Sequence, residues 1–213
     1  AWLRQADTYV VLHLVILGDE SESDWERYRE LPNVRMHQLR ELELNGEPVS
    51  LPNDPVSLAL RAAHAITGQL ETDFLAIGSV DVLPHSTHLG RATSEMVHRG
   101  IEWYAASLQE GSEVVRSNYP DPRSWRRAVQ PETAVVRRGM WVDLNGIAAR
   151  SSDADVDFFA RAARQRRTVS FSDRIVATSS APRYLGRPVD PPCWFGFGDN
   201  ADPFKMHQEG MGF

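Results

Sequence analysis

Three groups of carboxylates stand where an acid has work to do. Asp19 closes the apolar run at residues 10–17 (VVLHLVIL), and Asp81 follows Phe74-Leu75-Ala76-Ile77 by way of Gly78-Ser79-Val80. Asp153, Asp155 and Asp157 alternate at the opening of a helical pattern. Burying an ionised carboxylate costs several kcal/mol unless it is paired. An acid at the end of a buried strand therefore caps the next helix or faces a cleft and meets a cation or ligand. In an open α/β sheet the strand ends converge on one crevice. If both strands are parallel and near-central, Asp19 and Asp81 point into the same cleft, where a carboxylate can accept hydrogen bonds from a base or ribose or hold a hard divalent cation. The acids at 153, 155 and 157 suit the positive end of a helix dipole. A rigid helix start is also where a general base for a hydroxyl belongs. They do not form a calcium loop, because Phe158 and Arg164 fall where that motif needs Gly and Glu. His85 and His88 follow Asp81 at a spacing that would ligate a metal on a helix, but Pro84 and Ser86-Thr87 argue for a turn.

The elements that would position these groups alternate in the α/β manner. Residues 10–17 read as a buried strand of the parallel kind and 34–39 as an alternating strand. Between them Ser23-Asp24 caps a helix stopped at Pro32-Asn33. Asn45-Gly46 marks a turn, and residues 56–68 form a helix with Arg61 near its middle. A helix over 88–99, a strand over 101–108, a Pro- and Arg-rich loop over 119–127 and a strand over 134–137 follow. The last elements are a helix over 153–167, with Val156, Phe159, Ala160 and Ala163 on one face, and a strand over 168–176. After Pro182 the periodicity stops, and Trp194, Phe195 and Phe197 sit among prolines and glycines.

Bulk properties narrow the function classes. A length of 213 residues with 42% hydrophobic and 24% charged residues suits one globular domain with an extension. The net charge of −6 offers nucleic acid and anionic lipid no general attraction. The lone Cys193 excludes an intrachain disulfide and a Cys-based zinc cluster. No membrane span or signal peptide is visible, so a cytoplasmic compartment is the expectation. No Gly-rich phosphate loop and no Gly-x-Ser-x-Gly elbow occurs.

The order of these motifs resembles the GT-A glycosyltransferases of the family 2 type, over roughly residues 10–178. The quoted matches are Gly18-Asp19-Glu20-Ser21 after the first strand, Leu60-Arg61-Ala62 in a helix, and Ser79-Val80-Asp81 for the metal-binding Asp-x-Asp. Val136-Arg137-Arg138-Gly139 through Gly146 matches the Arg strand and Gly turn, and Ala154-Asp155-Val156-Asp157-Phe158 with Arg161 matches the acidic helix start. Ser79 and Ala154 stand where the pattern has acids.

The resemblance implies a Rossmann-like α/β domain over residues 1–181, with a mixed, mostly parallel sheet flanked by helices. An irregular extension over 182–213 would serve as a possible lid. It implies inverting transfer of a sugar from a nucleotide-diphosphate donor, most simply a UDP-sugar, to a hydroxyl of a glycan or small molecule. Asp19, Ser21, Arg61 and Ser79 would bind the nucleotide, and Asp81 and His207 would hold Mn²⁺ or Mg²⁺. Asp155, with Asp153 in reserve, would be the base, and Arg61 or Arg137 would assist the leaving diphosphate. The alternatives are a GT-A domain that has lost catalysis and binds or scaffolds, and a metal-dependent hydrolase built on His and Asp.

Overall fold

The computed structural model describes residues 1–16, 28–38, 42–44, 47–48, 55–67, 70–78, 82–121, 128–146 and 154–179. Two parallel strands, β1 (Leu12–Ile16) and β2 (Val34–Gln38), pair in register from Leu12 opposite Val34. The short strands β3 (Glu43–Leu44) and β4 (Glu47–Pro48) pair antiparallel on either side of the expected turn. Helix α1 (Pro55–Thr67) follows, with proline at its first position, where the missing N–H costs nothing.

The remaining strands make one mixed sheet. These are β5 (Phe74–Ala76), β6 (Val82–Pro84), β7 (Trp103–Glu110), β8 (Glu113–Val115), β9 (Val135–Arg137) and β10 (Val169–Ser179). Their order is β5-β9-β7-β10-β6, with β8 on β7. Only β7 and β10 run parallel within it; the other pairs are antiparallel. The α/β class and the mixed sheet match the sequence reading. Among the described residues β5 ends the sheet order and pairs antiparallel with β9.

Side chains alternate across β7 with the pleat, so one strand feeds two cores. Trp103 and Ala105 enter a cluster with Val136, Met140, Trp141, Phe158 and Phe159. That cluster is covered by α3 (Arg138–Asp143) and α4 (Ala154–Arg164). Tyr104 and Ala106 enter the opposite cluster with Leu89, Met96, Ile101 and Val176. There α2 (His88–Arg99) forms the cover. The Trp103 ring lies 5.1 Å from Phe159 and 5.4 Å, edge-on, from Phe171, an arrangement that adds to simple area burial.

Helix α2 ends at Gly100, whose φ of 65° is the left-handed conformation glycine adopts without steric cost. Its start is completed from far away. Thr87 supplies no side-chain cap, and the Leu89 N–H instead donates to Gln5 Oε1 at 3.0 Å. Gln5 Nε2 donates to His85 O at 3.1 Å, and the Ala6 N–H donates to Ser86 O at 2.6 Å. Gly90 lies directly beneath Ala6, where a Cβ would meet the Ala6 carbonyl oxygen at 2.6 Å.

Candidate active site

Of the site residues expected from sequence, Arg61 and Asp155 lie within the described residues. Asp19, Ser21, Ser79, Asp81, Asp153 and His207 lie outside them. Arg61 is buried on α1 and Asp155 is fully buried in the first turn of α4, and these two helices pack together. Burial lowers the pKa of the Arg61 guanidinium.

The sequence expected one apolar face on α4, but both described acids are covered as well. Asp155 and Asp157 have no exposed surface, so neither is a solvated cap. Asp157 accepts from Arg161 Nε at 3.0 Å, one helical turn on, and both side chains are buried. Arg161 also donates from Nη2 to Gly146 O at 2.6 Å and from Nη1 to Leu144 O. Its guanidinium carbon lies 5.7 Å from the Phe158 ring centroid. A buried pair contributes little net stability, but removing one partner strands a charge at about 3–5 kcal/mol. Asp157 is thus committed to holding Arg161, and Asp155 is buried beside it in the same first turn.

Arg161 reaches a turn built by α3. The Asn145 N–H donates to Val142 O and the Gly146 N–H to Trp141 O, each at 2.8 Å, and both residues have positive φ. This is a Schellman ending, with Asn at the left-handed position. The sequence read residues 139–146 as a Gly turn; they are a short helix, α3, and its cap.

His64, one turn beyond Arg61 on α1, closes the arrangement. Its imidazole occupies the place where a Cβ of Gly146 would lie, and its centroid is 6.1 Å from that of Trp141. Burial lowers its pKa, and the charge of Arg161 lowers it further. The sequence analysis did not single out His64. The i, i+3 spacing from Arg61, which puts both on one helix face, is the signal that could have found it.

Arg137, the alternative to Arg61 for assisting a leaving diphosphate, donates from Nε to Ile101 O at 2.9 Å and from Nη2 to Met96 O at 3.0 Å. Its guanidinium also lies over Phe74, so it serves to lock the α2–β7 connection. His85 and His88 diverge in setting: His85 is exposed, whereas His88 is buried beside Tyr104 with a centroid distance of 6.4 Å. Neither His88 ring nitrogen has a hydrogen-bond partner. Among the described residues no group of three or more His, Cys, Asp or Glu side chains could hold a metal ion.

Two structures of S. aureus TarS 1–349, with UDP and with UDP-GlcNAc, superpose with TM-scores of 0.56 and 0.57 over 84% of this chain. The fold is that of the GT-A glycosyltransferases. A mannosyltransferase from Pyrobaculum calidifontis, PcManGT, in complex with GDP-Man and Mn²⁺, has the same GT-A arrangement, with a TM-score of 0.55 over 84% of the chain. Sequence identities are 13%, 15% and 16% in the same order. The chain covers about half of each of these proteins: 54%, 52% and 51%. No protein-family model and no curated protein matches the GT-A-fold sequence described here. Among the described residues no helix is long and apolar enough to cross a membrane.

Proposed function

We propose that the protein transfers a sugar from a nucleotide-diphosphate donor to an acceptor hydroxyl. The observation that supports this is the buried acidic start of α4 on a GT-A fold, with Asp155 in its first turn and Asp157 held by Arg161. In this reading Asp155 takes the acceptor proton, with Asp153 in reserve. The acceptor oxygen forms a bond to the anomeric carbon as the bond to the diphosphate breaks, and the nucleoside diphosphate leaves with the electron pair. Attack from the face opposite the leaving group inverts the anomeric configuration. Arg61, Asp19, Ser21 and Ser79 bind the nucleotide portion. Asp81 and His207 are the residues that would hold Mn²⁺ or Mg²⁺, which neutralises charge on the departing diphosphate when bound. Residues 1–181 form the catalytic domain, and 182–213 an extension serving as a lid.

Asp155→Asn tests the base, since it keeps the side chain's shape and hydrogen-bonding capacity while removing the charge and the basic oxygen. With UDP-GlcNAc and GDP-Man as donors, transfer should fall by about 10²-fold or more while UDP affinity and folding persist. Equal, small losses for Asp153→Asn, Asp155→Asn and Asp157→Asn would remove catalysis from this helix.

A second reading, a binding module without turnover, is favoured by the complete burial of Asp155, whose side chain presents no surface to an acceptor in this arrangement. UDP binding with no turnover on either donor would select it.

A further inference from the structure

The interlocked turn, helix and imidazole around Gly146 link the two expected halves of the site. Arg61 and His64 share α1, whereas Asp155, Asp157 and Arg161 share α4. The turn at residues 144–146 is held by side chains from both helices. Arg161 draws in its Leu144 and Gly146 carbonyls, and the His64 ring fills the space beside the Gly146 α-carbon. Gly146 suits this place twice over, through its φ of 53° and through the lack of a Cβ that would overlap the imidazole.

We infer that His64 is a positioning residue for the reaction: its ring seats the Gly146 turn, and through Arg161 that turn sets where the acidic start of α4 stands relative to α1. The inference rests on the reading of Asp155 as the base. A ring wedged between Gly146 and Trp141 leaves the turn little room to slide, and misplacing a reacting group by about 1 Å costs as much as 10²-fold in rate.

The neutral ring is the seated form. Protonation would set a second cation beside Arg161, in a site already costly for charge. The charged groups on the elements packed here are Arg61 on α1, Arg138 and Asp143 on α3, and Asp155, Asp157, Arg161 and Arg164 on α4. Arg161 is the one whose charge lowers the His64 pKa.

The test compares His64→Ala and His64→Phe with wild type in the full chain. Backbone amide exchange over residues 154–158 is read alongside turnover of UDP-GlcNAc and GDP-Man. His64→Ala should speed exchange at 154–158 by about tenfold or more, leave residues 88–99 unchanged, and lower turnover by about 10- to 100-fold. His64→Phe keeps a planar ring and should restore both. Wild type should lose turnover as pH falls below the ordinary histidine value of 6.5, more steeply than His64→Phe. Unchanged exchange at 154–158 in His64→Ala overturns the inference, and so does failure of His64→Phe to restore it. Absence of wild-type turnover on both donors defeats the transferase reading alone, and the exchange result still decides the role of His64.

Discussion

Two parallel strand pairs in this molecule have opposite fates. β1 reads Leu-His-Leu-Val-Ile, yet only Ile16 is buried and the rest of the strand is half-exposed. β7 reads Trp-Tyr-Ala-Ala-Ser-Leu-Gln-Glu, less apolar overall, and its residues 103–108 are all buried. Among the described residues β1 pairs only with β2, whereas β7 pairs with β8, β9 and β10 and has helices over both faces. Hydropathy marks a segment as a strand. Burial is assigned by how many elements flank and cover it. The same contrast divides the candidate site. Asp155 stands over the core fed by β7, whereas Asp19 follows β1.

The largest effect should come from the core side of this contrast. Trp103→Ala removes a fully buried ring that touches Phe159 and Phe171 and should destabilise the protein by about 3–5 kcal/mol in urea unfolding. A loss below about 1 kcal/mol would mean that the two strands are packed alike.

The next effect is a pH dependence from the opposite core. Burial, with a smaller contribution from His85, lowers His88 from 6.5 to about 4. A base whose folded pKa is depressed takes up its proton more readily when unfolded. Its stability contribution is therefore complete above pH 6.5 and drains away as pH falls toward 4. The loss over that window should be about 3 kcal/mol at most. Tm recorded against pH for wild type and His88→Phe checks it, and superimposable profiles would show that His88 is hydrated in the fold.

The smallest effect belongs to β1. Leu14→Ala, at a half-buried position, should cost about 1 kcal/mol. A loss matching that of Trp103→Ala would erase the contrast, because β1 would then be as deeply packed in solution as β7.

What was legible in the sequence follows the same division between local pattern and distant partner. The helix at 154–164 was readable from apolar spacing, and β9 and β10 from β-branched runs between turn signals. Burial of the α4 acids was not readable. It depends on carbonyls of residues 144 and 146, which lie 17 and 15 residues from Arg161 and become its partners only in the fold. Pro84 and Ser86-Thr87 argued for a turn around His85 and His88, and one forms at 86–87, where the His88 N–H donates to His85 O; Pro84 itself closes β6, which among the described residues pairs only with β10, where a missing donor is tolerated. Arg137 fitted a family pattern in sequence, but its partners at Met96 and Ile101 come from the helix and loop that pack beside it.

The long-range cap on α2 has a consequence for the order of folding. Most helices close their first turn with a residue next door, so the helix and its cap form together. Here the acceptor on Gln5 and the amide of Leu89 are separated by 84 residues, and bringing them together waits on loop closure across the strands between. Helix α2 therefore carries open amides until the start of the chain docks. Its first turn should gain protection late in refolding, after the far end that Gly100 caps locally, an order that pulsed amide exchange would read.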